Sequence, residues 1–190
     1  MAKVRPSKVT GFKKEDRNNK RRTYEQNVQR SEDTIRNEYN EYMIMLNDDG
    51  TIRFKTTDGE RSTVGLSPEM KANVTDSVMS HNHPGGSSFS PEDIAVAMYY
   101  QLREIRATTA MNGTFVLHRT HQTGVFPKTD YAMLPQLFRD ARVDIHAEIQ
   151  AGIYNGTISF ANVLNEENQR VARWLTDNAP RFGWEFRWER

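Results

Sequence analysis

Two of the chain's five histidines, His81 and His83, stand one residue apart, and a carboxylate, Asp93, follows ten residues after the second. Side chains on a strand alternate in direction with a period of two, so an i, i+2 pair points both imidazoles the same way. Pro84, Gly85 and Gly86 then turn the chain. Ser90-Pro91-Glu92-Asp93 reads as a helix start, with Ser90 as N-cap and Asp93 in the first turn. Imidazole and carboxylate are the metal ligands open to a chain with no cysteine. Two histidines and one aspartate leave a fourth tetrahedral position free, as in a catalytic zinc site, where water becomes acidic enough to ionise near pH 7. The expected cofactor is Zn2+. Ser90 gains a second use here, because its hydroxyl lies near the open position and could steady the oxyanion of a tetrahedral intermediate. Such a reaction also needs a carboxylate to carry a proton from water to the leaving amine. That base must come from elsewhere in the chain, since Glu92 would face away from Asp93 on the helix.

The elements that must position these groups read as follows. Residues 1–22 form a basic, flexible or partly helical lead-in, and a mostly polar helix covers about Thr23 to Asn40. "EYMIML" (41–46) is a strand, "NDDG" its turn and "TIRFK" (51–55) the return strand, with Ile52 and Phe54 alternating with polar neighbours. "STVGL" (62–66) is expected as an edge strand. Ser67-Pro68-Glu69 starts a helix, and "DSVMS" (76–80) is the short strand that delivers the histidines. In the helix after Ser90, Ile94, Met98, Leu102 and Ile105 are expected on one face. "ATTAMNGTFVLHR" (107–119) is a hairpin turning at Asn112-Gly113. A long helix from Tyr131 ends at "NGT" (155–157), a second covers about Phe160 to Thr176, and Trp184, Phe186 and Trp188 alternate with charges as in a half-buried terminal strand. The fold class is α/β, organised as a basic arm (1–30), a metal-binding domain (31–128) and a helical extension ending in a strand (129–190).

Composition narrows the classes further. Hydrophobic content is 36% and charged content 27%, enough for a core with much of the chain wet. Without cysteine, disulfides and thiolate-held metals are excluded. No stretch approaches the roughly 20 apolar residues of a membrane span, and residues 1–16 lack the apolar core of a secretory signal. The expected setting is the cytoplasm, without membrane association. Residues 1–30 carry ten Lys or Arg against three Asp or Glu, a surface suited to an acidic partner or nucleic acid. His118 and His121 are expected as surface or turn histidines and His146 as a helix-surface or packing residue. Trp184, Phe186 and Trp188 are expected to pack the terminal strand into the core.

"HNHP", a short spacer and then Ser-x-x-Asp (His81 to Asp93) resembles the signature of the JAMM (JAB/MPN) metalloproteases, in the wording of the RadC-like and phage-associated bacterial branch. The likeness spans about residues 38–120. It implies a three-layer, cytidine-deaminase-like α/β fold with a mixed sheet flanked by helices. It also implies His81, His83 and Asp93 as zinc ligands and Ser90 at the family's serine. The family's general base, a glutamate on an early strand, falls on Glu41, with Glu38 in reserve. Six residues separate His83 from Ser90, where the family commonly has seven. The function implied is zinc-dependent hydrolysis of an amide or isopeptide bond in a protein or peptide substrate, in a phage or mobile-element setting inside the host cell. The competing expectation is a non-catalytic scaffold or interaction module of this fold, DNA-associated through residues 1–30.

Overall fold

A computed structural model describes residues 10–120 and 130–190. The elements in chain order are α1 (Thr10–Asp33), β1 (Met43–Leu46), β2 (Ile52–Thr56), α2 (Pro68–Ala72), β3 (Val78–Asn82), α3 (Pro91–Tyr99), β4 (Glu104–Thr109), β5 (Gly113–Arg119), α4 (Asp130–Tyr154), α5 (Val163–Asn178) and β6 (Trp184–Glu189). Six strands make one mixed sheet in the order β2-β1-β3-β4-β5-β6. Only β3 and β4 pair in parallel, joined by α3, and every other neighbour is antiparallel. The expected α/β class with a mixed sheet, flanking helices and a helical C-terminal region is what the chain adopts.

Register divides the sheet into two unlike faces. Met43 sits opposite His81 and Met45 opposite Met79, and the same face continues through Ile105, Ala107, Phe115, Leu117 and Phe186. These residues pack with Met70 of α2, Ile94 and Met98 of α3, Phe138 of α4 and Leu175 of α5 in the main core. Along β6 the expected alternation holds: Trp184 and Phe186 are buried and Glu185 and Arg187 exposed. On the opposite face Ile44, Leu46 and Val78 pack with Val28 and Ile35 in a second, smaller cluster. There the second half of α1 crosses the β1–β2 turn. Gly50 (φ 84°) passes so close to α1 that a Cβ would stand 2.7 Å from the Tyr24 carbonyl, and Ser31 donates to its carbonyl at 3.0 Å.

Beyond this cluster the second face is charged instead of apolar. Arg106 is 7% exposed and is held by Glu32 (2.6 Å), Glu104 (2.8 Å) and Glu189 (2.7 Å). A cleft of about 790 Å³ between α1 and the β4–β6 end of the sheet opens over this network. Burial alone would raise the Glu104 carboxyl. Together the hydrogen bond from His118, the charge and hydrogen bond of Arg106 and the charge of Arg187 outweigh it, and the group is held at about 2 against an ordinary 4.5. A carboxylate depressed by folding adds stability above its unfolded value and loses it as pH falls through the folded one. Urea unfolding at a series of pH values is therefore expected to show stability falling from about pH 4.5 toward pH 2. Glu104→Gln should remove about one proton from that slope; an equal slope in the variant would contradict the assignment.

Three expectations on elements need correction. "STVGL" forms no strand; residues 62–66 run as an irregular loop ahead of α2. The first helix runs Thr10–Asp33 instead of about Thr23 to Asn40, and a turn covers 34–37. Leu102 and Ile105 do not belong to α3, which stops at Tyr99: Leu102 follows its cap and Ile105 lies in β4. The helix closes with Gln101 in the left-handed region (φ 53°), its N–H bonded to the Met98 carbonyl and that of Leu102 to the Ala97 carbonyl. This is the Schellman arrangement, built on a residue other than the usual glycine. Among the described residues, no helix is long and apolar enough to cross a membrane. His121 lies outside the described residues.

Candidate metal centre

His81 is the fourth residue of β3, with β1 on one side and β4 on the other. It is 1% exposed. His83 leaves the end of the same strand, and its N–H bonds to the Thr108 carbonyl at 2.9 Å, continuing the parallel ladder by one residue. The imidazoles point the same way, with their Nε2 atoms 2.8 Å apart. The chain then turns back: the Gly86 N–H bonds to the His83 carbonyl, and Gly86 takes φ 78°, a conformation that favours glycine. The shorter loop thus closes, and α3 begins beside the histidines.

Ser90 and Asp93 form a capping box at the start of α3. The Ser90 hydroxyl accepts the Asp93 N–H at 3.1 Å and donates to Asp93 Oδ2 at 2.8 Å, and the Ser90 N–H donates to the same oxygen at 2.7 Å. With Oδ2 held this way, Oδ1 lies 3.1 Å from His81 Nε2, while Oδ2 is 3.5 Å from His83 Nε2. The Ser90 proton is therefore directed at Asp93, and the hydroxyl in this arrangement orients the carboxylate. Glu92 faces away, as expected, and pairs with Arg139.

Glu41 comes to the same point from the segment entering β1. One ligand atom from each of Glu41, His81 and His83 lies within 4.8 Å of the others. Its backbone is pinned on both sides, by its own N–H on the Glu60 carbonyl (2.8 Å) and by the Thr57 hydroxyl on its carbonyl (2.7 Å). Asn82 completes the placement from the opposite face of β3. Its side chain accepts the Tyr42 N–H at 2.6 Å and donates to the carbonyls of Asn40 (3.0 Å) and Glu38 (3.2 Å). The residue between the two histidines thus fixes the segment that carries Glu41. Glu38 has an exposed side chain and does not join the cluster.

The electrostatics follow from burying four titratable groups together. Burial pushes the Glu41 carboxyl up to about 7, with His81 opposing and Asp93 adding to the rise. Burial would also raise Asp93, but the His81 charge and hydrogen bond, and then His83, outweigh it and hold this carboxyl well below the usual range. His81 is raised: burial works against its charged form, and Asp93 and then Glu41 prevail. His83 is lowered, first by burial and then by His81. One carboxylate stays ionised while the other sits near neutrality, an environment-driven split of the kind found where two carboxyls take different roles.

Glu41, His81 and His83 form a group that could hold a metal ion, and Asp93 lies beside it. His81 Nε2 lies 2.8 Å from His83 Nε2 and 3.1 Å from Asp93 Oδ1, while His83 Nε2 is 3.5 Å from the other carboxylate oxygen, Oδ2. The His83 Nδ1 faces the Ser87 carbonyl at 2.9 Å, so neutral His83 carries its proton on Nδ1 and presents a lone pair on Nε2. The other described histidines stand apart. His118 bonds Glu104 on the opposite face of the sheet, and His146 on α4 is half-exposed and close to Glu167. No protein-family model, curated protein or solved structure matches the chain.

Proposed function

We propose that this chain is a zinc-dependent hydrolase with a JAB/MPN-like fold, cleaving an amide or isopeptide bond in a protein or peptide. The observation that carries the reading is the convergence of two imidazole Nε2 atoms, the buried Glu41 carboxylate and the partly buried Asp93 carboxylate at the junction of β3 and α3. His81, His83 and Asp93 would hold the metal, three protein ligands with one position open. A zinc ion there supplies Lewis acidity, polarising the scissile carbonyl and making water more acidic. Glu41 takes a proton from the attacking water onto a carboxylate oxygen and returns it to the amine nitrogen as the C–N bond breaks. Ser90 keeps Asp93 oriented through Oδ2; to steady an oxyanion its hydroxyl would have to rotate away from that oxygen.

Glu41→Gln separates the base from the ligands. With internally quenched peptides containing α-peptide and ε-amino isopeptide bonds as probes, turnover in the variant should fall by about 10²–10⁴. Its zinc affinity, from chelator competition, should stay within a few fold of the native chain. Undiminished turnover would remove Glu41 as the base.

A further inference from the structure

The loop from His83 to Ser90 is held by a residue 78 positions beyond its end, in α5. Asn168 is 1% exposed, and its side chain spans the loop with two hydrogen bonds. Its Oδ1 accepts the Ser88 N–H at 2.8 Å, and its Nδ2 donates to the Gly86 carbonyl at 3.0 Å. Asn112, in the β4–β5 turn, donates to the same carbonyl at 2.8 Å, and Trp188 of β6 fixes that turn through the Asn112 carbonyl at 2.6 Å. A Cβ on Gly86 would stand 3.1 Å from Asn112 Nδ2 and 3.2 Å from Leu164. The C-terminal elements therefore clamp the loop from two sides.

One peptide unit makes this clamp bear on the metal centre. The Ser88 N–H that Asn168 accepts belongs to the same planar group as the Ser87 carbonyl. That carbonyl accepts the His83 Nδ1 proton at 2.9 Å. Asn168 thus sets the tilt of the peptide whose far end orients the His83 ring and selects its tautomer. A hydrogen bond from the second ring nitrogen of a ligating histidine to a carbonyl fixes ring and tautomer, and losing such support typically costs 10–100-fold in metal affinity. We infer that Asn168 is a positioning residue for the metal centre, acting on His83 through the Ser87–Ser88 peptide, and that α5 is a working part of the site. The inference rests on the zinc reading above for its effect on metal binding, but not for its effect on the His83 ring.

The test compares the full-length native chain with Asn168→Leu, which keeps the branched shape of the side chain and removes both hydrogen bonds. Chelator competition should show zinc bound 10–100-fold more weakly by the variant. Val171→Ala, a core truncation on the same helix, should lose stability yet bind zinc within about threefold of the native chain. Nitrogen-15 NMR of the metal-free proteins at about pH 9, where free imidazole is neutral, should show His83 protonated on Nδ1 in the native chain. In N168L the two tautomers should mix. Asn168→Asp keeps an acceptor toward Ser88 and should retain the native tautomer. If N168L does not fold, Asn168→Ser, too short to reach both groups, takes its place. Native protein that binds no zinc would sink the hydrolase reading alone, and the tautomer comparison would still decide the role of Asn168. An unchanged His83 tautomer overturns the inference, as does an equal loss of affinity in V171A.

Discussion

His81→Ala is expected to weaken zinc binding by at least about 10³-fold, well beyond the 10–100-fold typical of outer-shell changes. His81 stands nearest to both other ligands, with its Nε2 2.8 Å from His83 and 3.1 Å from Asp93. Its removal leaves two ligands and strips Asp93 of the group that most favours its charged form. The consequence is measurable without any substrate. A ligand present at 1,000 times its dissociation constant stabilises the folded state by about 4 kcal/mol. At the same zinc concentration the variant would gain about 0.4 kcal/mol or less, so the zinc-dependent rise in Tm should all but vanish. His118→Ala, on the other face of the sheet, should keep the full rise. Zinc affinity in H81A within tenfold of the native chain would exclude His81 as a ligand.

The second large effect is on stability. Glu32 is 2% exposed. Its Oε1 accepts from Arg106 at 2.6 Å and from the Ser80 hydroxyl at 3.0 Å, and its Oε2 faces the Thr114 hydroxyl at 3.4 Å. Removing one member of a buried ion pair costs about 3–5 kcal/mol, because the partner's charge stays buried. Arg106 would keep Glu104 and Glu189, which places Glu32→Ala near 3 kcal/mol, a large share of a typical folding free energy of about 5–15 kcal/mol. Urea denaturation of the native chain, both single variants and the Glu32→Ala/Arg106→Ala double should show the double losing less than the sum of the singles. A single-variant loss under about 1 kcal/mol, or strict additivity, would contradict the account of this network.

Much of the site was legible because its parts are local. His81, His83, Ser90 and Asp93 fall within thirteen residues, and strand alternation together with helix capping is enough to aim them at one another. Glu41 needed the family likeness, since 40 residues separate it from His81 and its approach depends on the Asn82 amide holding the Asn40 and Tyr42 backbone. Asn168 left no local sign: a buried asparagine on a polar helix reads like any exposed one until α5 is packed against the loop. Glu32 was hidden the same way, a charge in a charged helix whose burial follows from the register that sets Arg106 beside Ser80. The end of α3 was misread because the left-handed position is filled by Gln101 and not by glycine.

The central claim is that His81, His83 and Asp93 hold a metal ion, and the most direct measurement is the zinc content of the purified chain after dialysis, by elemental mass spectrometry. The account predicts about one zinc per folded chain, lost in His81→Ala. A native chain that retains no zinc, and whose Tm does not rise when zinc is added, would contradict it and leave the same fold as a scaffold.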